Sequence, residues 1–481
     1  MAAAPVICLF RRDLRLADNP ALAAAVATGQ PVICLFVLDE ESGRPPGGAS
    51  RWWLHHSLTD LDHALRACGG ALTLRRGATV DVVADVARTA GATALYLARR
   101  YEPRSADLEN ALKDRLDAAD VAVHRFAGTL LSDPDTIRTG QGGPFKVFTP
   151  FYRAVLKAVP PSQPAPAPTN VPSPESLPDS DDLDSWGLLP RAPDWAAGLR
   201  ETWTPGAAGA HDRLDAFIDG ALTSYETARD VPSIDGTSAL SPQLHFGEIS
   251  PRQVRARLLF AADRHPETAA GAAAIERQLV WRDFAQHLLH HWPTLPEAPF
   301  RPEYETFPWQ DDPVALQAWQ RGRTGFPLVD AGMRQLWHTG WMHNRVRMVA
   351  ASFLVKHLMV PWQAGEAWFW DTLVDADLAN NVGNWQWVAG CGADAAPYFR
   401  VFNPILQSQK FDPQGVYLRR WLPELSSLSD KQIHRPWDVP PRALADAGVT
   451  LGKDYPEPIV THEVGRARAL AAFQAWRDGM S

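Results

Sequence analysis

Short apolar runs recur through the first 130 residues, and a segment with helical periodicity follows each of them except the last. Strands this short and apolar, separated by helices, are typical of a parallel sheet covered on both faces. Such sheets bind ligands at the carboxyl ends of their strands. The region contains neither GxGxxG nor GxxxxGK, so we predict no phosphate-binding loop. The pattern predicts a Rossmann-like α/β domain over residues 1–130. The predicted strands are Pro5–Phe10, Val32–Leu38, Ala71–Leu74, Ala94–Ala98 and Val121–Phe126.

Proline is concentrated after this pattern, with eight prolines among Ser, Ala and Asn in residues 160–178. That composition is typical of an extended linker, which we place at residues 131–205. Helical periodicity dominates from residue 206 to residue 481. A chain of 481 residues is also too long for one ordinary core. We therefore predict a second, large, all-helical domain over residues 206–481.

The stretch Asp375–Trp387, DADLANNVGNWQW, combines two aspartates, three asparagines and two tryptophans. Buried carboxylates and carboxamides must find hydrogen-bond partners. The stretch therefore indicates a buried polar ligand beside aromatic rings, and a heterocyclic cofactor fits. The alternative is a polar loop that two tryptophans anchor in a core.

Two other segments also combine polar side chains with turns or tryptophan. Gly236–Ser241, GTSALS, offers hydroxyl and backbone N–H groups to a phosphate, or is an ordinary helix start at Ser241. Gln278, Trp281 and Arg282 have the spacing of one helical face. Together they can read a base edge, stack on the base and hold its phosphate. The alternative is an amphipathic helix with its tryptophan in the core.

The segment Arg321–His357 is locally basic, with six Lys or Arg residues and one acid, Asp330. The whole chain has a net charge of −8, which argues against non-specific nucleic-acid binding by its entire surface. A basic patch on an acidic protein is what a phosphate-facing surface requires. The alternative is a solvated helix face paired with acids from elsewhere. The six residues are Arg321, Arg323, Arg334, Arg345, Arg347 and Lys356.

The four cysteines have no CxxC or zinc-ligand spacing, so we expect no metal site. This cysteine usage is typical of a reducing compartment, and no apolar run approaches membrane-spanning length. We therefore expect a cytoplasmic protein without a membrane span.

An ordered series of motifs carries a resemblance to a known family. The segments are LFRRDLRLADNPAL (Leu9–Leu22), GTSALS (Gly236–Ser241), QLVWRDF (Gln278–Phe284), GFPLVDAGMRQLWHTGWMHNRVRM (Gly325–Met348), and DADLANNVGNWQW continuing to Phe399–Pro404. On these motifs the chain resembles the photolyase/cryptochrome family of blue-light flavoproteins. The resemblance covers nearly the whole chain. It implies an α/β domain, a linker and a helical domain that binds FAD.

The resemblance also implies a flavin site. Arg347 and Asp375 would form an ion pair beside the isoalloxazine, Asp377 would contact the ring edge, and Asn381 would face N5. A carboxamide there can both donate and accept a hydrogen bond. Gln278 and Arg282 would line the space between flavin and substrate. The remaining implied FAD-binding residues are Tyr225, Thr237, Ser238, Leu240, Ser241 and Asn344.

Three tryptophans match the family's photoreduction chain. Trp385 would abut the flavin, Trp362 would follow, and Trp309 would lie near the surface. With Asn381 they make up the catalytic set that the resemblance implies.

Family members either repair pyrimidine dimers or signal, and the motifs favour repair of cyclobutane pyrimidine dimers. Repair enzymes flip the damaged bases out of the duplex. Asn344 stands where (6-4) photolyases carry a histidine for acid catalysis, which argues against that substrate. The residues implied to contact damaged DNA are Arg229, Gln278, Trp281, Asn344, Arg345, Met348 and Trp387.

Two positions depart from the dimer-photolyase pattern. Gln278 replaces a glutamate that is common in those enzymes, and Ala239 replaces an arginine. An amide can bond thymine, but it cannot stabilise developing charge as a carboxylate does. The class III photolyases are among the branches that accept such changes, and class I and class III both stay open.

The main rival is a cryptochrome, although we expect no long polar tail after the helical domain. A flavin electron-transfer module without DNA is a second rival, and it would not need the basic segment Arg321–His357. The resemblance also implies an antenna pigment, and we favour methenyltetrahydrofolate. The folate-binding Asn-Glu pair of one family class is absent near Tyr101–Arg104. We expect a monomer.

Overall fold

The computed structural model describes residues 3–395 and 399–480. Its strands are β1 (Val6–Phe10), β2 (Val32–Leu38), β3 (Leu72–Arg76), β4 (Ala94–Ala98) and β5 (Ala122–Phe126). The first helices are α1 (Pro20–Ala27), α2 (Gly48–Ala67), α3 (Thr79–Ala90), α4 (Pro103–Asp117), α5 (Phe148–Ala158), α6 (Ala197–Thr202), α7 (Ala207–Gly220), α8 (Tyr225–Ala228), α9 (Ser241–Phe246) and α10 (Pro251–Arg264).

The remaining α-helices are α11 (Ala269–His291), α12 (Pro313–Gln320), α13 (Pro327–Thr339), α14 (Asn344–Ser352), α15 (Trp362–Thr372), α16 (Leu378–Ala389), α17 (Pro404–Phe411), α18 (Val416–Trp421), α19 (Pro441–Asp446) and α20 (His462–Asp478). Single 3₁₀ turns cover Leu183–Trp186, Leu222–Ser224, Pro266–Thr268, Pro302–Thr306, Pro423–Leu425 and Pro436–Asp438. A π-helical turn, Phe353–His357, directly follows α14.

The chain divides into two compact units. Unit 1 comprises Met1–Thr223, Ser238–Pro293 and Val374–Ala379, and unit 2 comprises Ser224–Thr237, Thr294–Leu373 and Asn380–Ser481. The predicted domain boundaries at residues 130 and 205 stay predictions. No helix in the described part of the chain is both long enough and apolar enough to cross a membrane.

The sheet of unit 1 is parallel, as the sequence predicts, with strand order β3-β2-β1-β4-β5. β1, β2 and β4 are buried along their whole length because helices cover both faces of the sheet, whereas β5 is an edge strand and largely exposed. Strand order reverses between β1 and β4, which is where such sheets usually bind ligands. Here Arg11, directly after β1, bonds the carbonyl of Ala98 at the end of β4 and the carboxylate of Glu109.

One core of unit 1 lies between the sheet and the helices α3 and α4. Aliphatic side chains at every second strand position pack against one aliphatic face of each helix. The sequence therefore places aliphatic residues at the two-residue repeat of the strands and at the 3.6-residue repeat of the helices. Its strand residues are Ile7, Leu9, Ile33, Leu35, Val37, Leu95 and Leu97, and its helix residues include Val82, Val83, Val86, Leu112 and Leu116.

Helix α2 begins at Gly48, and Gly47 occupies its cap position without a side-chain hydrogen bond. Glycine adopts the extended conformation needed at that position as easily as serine does. The helix start that the sequence offers at Ser241 is observed, because Ser241 is the first residue of α9; the cap position before it is Leu240, which makes no side-chain hydrogen bond. Pro242 already fixes the helical φ there, so a capping side chain is less necessary.

Candidate functional site

Asn381 is held by a carboxylate from the neighbouring helix α15 in unit 2. Its Nδ2 donates to the Glu366 backbone oxygen at 3.0 Å and to Glu366 Oε1 at 2.8 Å. Both amide hydrogens are therefore used within the protein. The amide presents its oxygen, an acceptor, as its remaining hydrogen-bonding atom. Both neighbouring atoms are acceptors, so the amide cannot be flipped without loss.

Trp385 lies four residues further along α16 and is 3% exposed. Its ring packs edge-on against Phe369 at 5.0 Å and Trp319 at 6.0 Å between centroids. Gly365 is required beside it, because a Cβ there would lie 2.1 Å from the indole. Nε1 of Trp385 is buried without a hydrogen-bond partner among the described residues. A buried indole donor without an acceptor in the protein is unusual, and an acceptor atom on a bound ligand would satisfy it.

The other two tryptophans that are predicted to form the relay also belong to unit 2, and they differ in burial. Trp362 is the first residue of α15 and is 2% exposed. Trp309 lies outside the helices, is partly exposed, and packs on Phe307 at 4.5 Å. Trp309 is therefore the most exposed of the three tryptophans, and its place in a relay stays a prediction.

Trp387 lies on the opposite side of α16 from Trp385, because two residues correspond to about 200° around an α-helix. Its indole is half-buried, and Nε1 donates to the Asp394 backbone oxygen at 3.1 Å. Gln386, between the two tryptophans, bonds the backbone of Leu295 and Phe300 through its side-chain amide. The helix therefore presents the two indoles to different surroundings, and the role of each stays a prediction.

Helix α14 presents the predicted substrate-facing side chains of unit 2. Asn344 is exposed, and its Nδ2 lies 3.9 Å from the Met348 sulfur, so these two residues share a face of the helix. Arg345 pairs with Asp230 at 2.7 Å and lies over the Phe411 ring at 4.4 Å. This guanidinium is thus oriented on two sides before it meets any ligand.

His343 caps α14 and must be neutral to do so. Its Nδ1 accepts from the Arg345 backbone N–H at 3.2 Å. Burial lowers the pKa of His343 to about 4, and the nearby Arg345 and Arg347 guanidiniums contribute. Arg347 donates through Nε to the Met342 backbone oxygen at 2.7 Å. The predicted pairing of Arg347 with Asp375 stays a prediction.

The turn predicted to hold FAD phosphates has a constrained backbone. In unit 2, Arg229 lies over the Tyr225 ring at 5.3 Å, and a Cβ on Gly236 would lie 2.7 Å from a backbone oxygen. In unit 1, Ala239 has a positive φ of 47°, which is rare outside glycine. Thr237, Ser238 and Ala239 are half-buried, Leu240 is buried, and the Ser241 side chain is exposed.

Trp281, on α11 of unit 1, stacks on Phe148 with 3.5 Å between centroids and 6° between planes. The same helix turns Arg282 toward backbone carbonyls, with bonds to the oxygens of Thr129 at 2.7 Å and Leu244 at 3.2 Å. Gln278 Nε2 lies 3.4 Å from the Ala274 oxygen. Arg282 therefore links its own helix to two other segments of unit 1. The sequence pattern predicted a phosphate contact for this side chain but did not predict these bonds to backbone oxygens.

Asp377 lies among polar side chains of unit 1 that the sequence did not single out. Gln286 Nε2 donates to its carboxylate at 3.0 and 3.3 Å, and His245 Nδ1 lies 3.8 Å away. Burial and then the guanidinium of Arg12 lower the pKa of His245 to about 4. A neutral imidazole therefore lies between a cation and the Asp377 carboxylate. Gln286 is eight residues after Gln278, a helical spacing that could have identified it.

The predicted basic patch is smaller than its sequence indicates. Lys356 is buried at 1% exposure, Arg334 pairs with Glu424 at 2.7 Å, and Arg345 pairs with Asp230. Counting charges along the chain overstated the patch because acids distant in sequence neutralise part of it. Arg321 and Arg323 are exposed.

Comparisons with known proteins identify the family that this chain resembles. The family model for DNA photolyase matches residues 6–171, and the model for the FAD binding domain of DNA photolyase matches residues 275–475. The chain is 50% identical to the deoxyribodipyrimidine photo-lyase of Agrobacterium fabrum over 472 residues, which cover 98% of each protein. It is 39% identical to cryptochrome-1 of Arabidopsis thaliana over 98% of this chain and 70% of that protein.

Among solved structures, the bacterial class III photolyase from Agrobacterium tumefaciens superposes with a TM-score of 0.97 and 49% identity. The match covers 99% of this chain and 98% of that one. The predicted fold class, an α/β domain with a parallel sheet followed by a helical domain, is confirmed. The chain therefore belongs to the DNA photolyase/cryptochrome family.

Proposed function

We propose that this protein is a deoxyribodipyrimidine photo-lyase that repairs cyclobutane pyrimidine dimers in DNA under light. Its 50% identity to a relative of that name over 98% of both chains is the observation that carries the proposal. The details of α14 and α16 support it and assign roles to individual residues.

The residues present fit a flavin. Trp385 has a buried indole N–H without a partner among the described residues, and Asn381 keeps an acceptor oxygen because Glu366 occupies its amide hydrogens. FAD, when bound and reduced, supplies the light-driven electron that splits the dimer. Asn381 would accept, through Oδ1, a hydrogen bond from a proton-bearing nitrogen of the ring. The other proposed FAD-binding residues are Tyr225, Thr237, Ser238, Leu240, Ser241, Gln278, Arg282, Asn344, Arg347, Asp375 and Asp377.

Trp385, Trp362 and Trp309 are proposed to relay electrons from the surface toward the cofactor. An indole relays single electrons better than other side chains because its radical cation is comparatively accessible. Burial of Trp385 and Trp362 excludes water from the inner steps, whereas the partly exposed Trp309 can exchange with a reductant in solution.

Trp281 and Trp387 are each proposed to stack on a flipped base of the substrate. Base–aromatic stacking typically contributes about 1–3 kcal/mol per base. Damage weakens base stacking, so flipping a dimer costs less than flipping sound bases. Arg229, Gln278, Asn344, Arg345 and Met348 are proposed to supply the remaining contacts.

Asn344 and Met348 separate dimer repair from (6-4) repair. Neither side chain can act as a general acid near neutral pH, and the two contact each other on α14. The neighbouring His343 is buried, with its pKa lowered to about 4, and its Nδ1 is used by the helix cap. The site thus lacks an obvious proton donor for (6-4) chemistry in the described part of unit 2.

A second chromophore is proposed to be methenyltetrahydrofolate. At the strand-order reversal between β1 and β4, Arg11 occupies the space with bonds to Ala98 and Glu109. We therefore expect the pigment at another place on the protein. Acid extraction followed by absorption and mass spectra identifies a folate, a deazaflavin or a second flavin.

We also propose that the protein acts as a cytoplasmic monomer. Size-exclusion chromatography with light scattering tests the oligomeric state, and fractionation of cells tests the location.

The experiment that separates repair from signalling uses purified, fully reduced protein and DNA with defined lesions. Salt-sensitive binding to irradiated DNA and loss of dimers under blue light are expected for a repair enzyme. A cryptochrome would bind flavin and respond to light without removing dimers. A flavin electron-transfer module would do neither with DNA.

A further inference from the structure

Lys356 is a buried lysine in the π-helical turn Phe353–His357 of unit 2. The residue is 1% exposed, and burial lowers its pKa to about 7. A buried ammonium without a carboxylate costs stability, and an apolar side chain of similar size would avoid that cost. Its titratable neighbour Cys391 supplies no charge near neutral pH, because burial raises the pKa of that thiol to about 12. Packing alone does not explain a lysine here.

The lysine Nζ has two close neighbours. It donates to the Ala389 backbone oxygen at 2.5 Å, and it lies 3.4 Å from the centre of the Phe399 ring. Gly390 completes the enclosure, since a Cβ there would lie 3.6 Å from Nζ and 3.4 Å from the Tyr304 hydroxyl. The site is therefore closed around the ammonium on several sides.

Ala389 is the last residue of α16, so Lys356 contacts the negative end of that helix dipole. A cation at a helix C-terminus stabilises the last turn, most strongly when it is partly shielded from water. Trp387 belongs to this turn, and its N–H bonds Asp394 in the loop that follows. Lys356 thus contacts the part of α16 that positions Trp387.

The π-helical turn that carries Lys356 is also adjacent to predicted site residues. The π-helical turn follows α14, which carries Asn344, Arg345 and Met348. π-Helical turns within α-helices are rare and are frequent at functional sites. Lys356 therefore joins the end of the helix with the predicted substrate-facing side chains to the end of the helix with the predicted stacking wall.

We propose that Lys356 is a positioning residue: its ammonium holds the last turn of α16 against the end of α14, and loss of its proton loosens Trp387. The affinity for a dimer then depends on pH. The role of Trp387 rests on the proposed function, whereas the effect on the helix end does not.

The titratable groups around Lys356 do not change their protonation near pH 7. Burial raises the pKa of Cys391 and of Tyr304 to about 12, and burial lowers the pKa of His357 to about 3. The pKa of His462, on α20, is lowered from its usual value by burial. The neighbouring charged side chains are Arg301, Glu303 and Arg468.

The test compares three FAD-loaded proteins: the wild type, Lys356→Arg with a permanent charge, and Lys356→Met without one. The probe is an oligonucleotide with one thymine dimer, titrated in the dark between pH 6 and pH 9. The affinity of the wild type should fall roughly threefold to tenfold as the pH rises through 7, in addition to any change that all three proteins share. Lys356→Arg should lack this loss and bind tightly, and Lys356→Met should lack it and bind weakly. Equal pH profiles for all three proteins would overturn the proposal.

Hydrogen exchange of the backbone N–H groups of Gly390 and Cys391 provides a readout without DNA, since both donate to the Gln386 oxygen. At pH 6.5 these amides should exchange several-fold faster in Lys356→Met than in the wild type. The thermal unfolding temperature of Lys356→Met should not be lower than that of the wild type. Equal exchange would overturn the positioning role. Faster exchange without dimer binding by any of the proteins would support the positioning role and count against the proposed function.

Discussion

Glu366 and Asn381 are joined by two hydrogen bonds, at 2.8 and 3.0 Å, that use both amide hydrogens of the asparagine. Because both bonds end on Glu366, one residue sets the orientation of the amide. An asparagine that could rotate would offer a flavin either a donor or an acceptor, whereas this one offers an acceptor.

Removing that carboxylate should release the amide. Glu366→Leu leaves the buried Asn381 N–H groups short of one acceptor, so we expect a loss of about 1–3 kcal/mol of unfolding free energy. We also expect a lower yield of repair per absorbed photon. Glu366→Gln keeps a side-chain oxygen and should lose less of both. Asn384→Ala, on the exposed side of the same helix, is the control. A normal repair yield in Glu366→Leu would contradict the assignment.

Trp385→Phe should separate activation from repair. Light-driven reduction of oxidised FAD should collapse, because phenylalanine is a poor electron relay, while repair by chemically pre-reduced protein should survive. Transient absorption measures the first quantity and dimer loss the second. Trp337→Phe, at a 56% exposed tryptophan, should change neither. Equal loss of both activities in Trp385→Phe would refute the relay.

Gly365→Ala should displace the same indole without removing it. A Cβ at this position would lie 2.1 Å from the ring, closer than any real contact, so the indole or the helix must shift. We expect slower photoreduction and an earlier thermal transition. Gly383→Ala, where an added Cβ meets nothing within 4 Å, is the matched control and should raise helix stability slightly. A normal photoreduction rate in Gly365→Ala would show that the relay tolerates movement of this ring.

Arg345 should contribute to DNA affinity through charge. Arg345→Ala should weaken binding of damaged and undamaged DNA alike and reduce the salt slope of log Kd by about 1. Asp230→Asn keeps the guanidinium but removes its partner at 2.7 Å, so its salt slope should stay near that of the wild type. An unchanged slope in Arg345→Ala would mean that this side chain does not meet a phosphate.

The free energy of unfolding should fall steeply as the pH is lowered into the mildly acidic range. Burial lowers the pKa of His245 and His343 to about 4 and that of His287 and His357 to about 3. Between pH 6.5 and pH 4 the unfolded chain therefore binds more protons, and each histidine removes up to about 1.4 kcal/mol of stability per pH unit. Glu248 opposes this, because burial raises its pKa to about 8 and favours the folded protein as pH falls.

Denaturant melts at several pH values measure this effect, and Glu248→Gln provides an internal check. Without the opposing carboxyl, the loss of stability between pH 6.5 and pH 4.5 should become steeper. A shallower loss in Glu248→Gln would contradict the assigned protonation states.

The fold and the site differ in how far the sequence predicts them. Alternation of apolar runs and helices is a local pattern, so the strands were found within one or two residues of their observed limits. The strand order was not predicted, because it depends on crossovers between distant segments. Lys356 illustrates the same limit: in sequence it belongs to a basic run, but packing against Ala389 and Phe399 buries it.

The polar stretch Asp375–Trp387 was recognisable because buried polar groups require partners, but its partners were not. Glu366 lies fifteen residues before Asn381, and Gln286 lies ninety-one residues before Asp377. No spacing rule connects residues on different helices. The division between Trp385 and Trp387 follows from helix geometry alone once α16 is established.

Dimer loss under blue light decides whether the protein is a repair enzyme. Purified protein with fully reduced FAD is illuminated with two separate oligonucleotides, one carrying a thymine dimer and the other a (6-4) product. We expect the dimer to be converted to two thymines while the (6-4) product persists, and neither to change in the dark. Persistence of the dimer under illumination with FAD fully reduced would refute the proposed function.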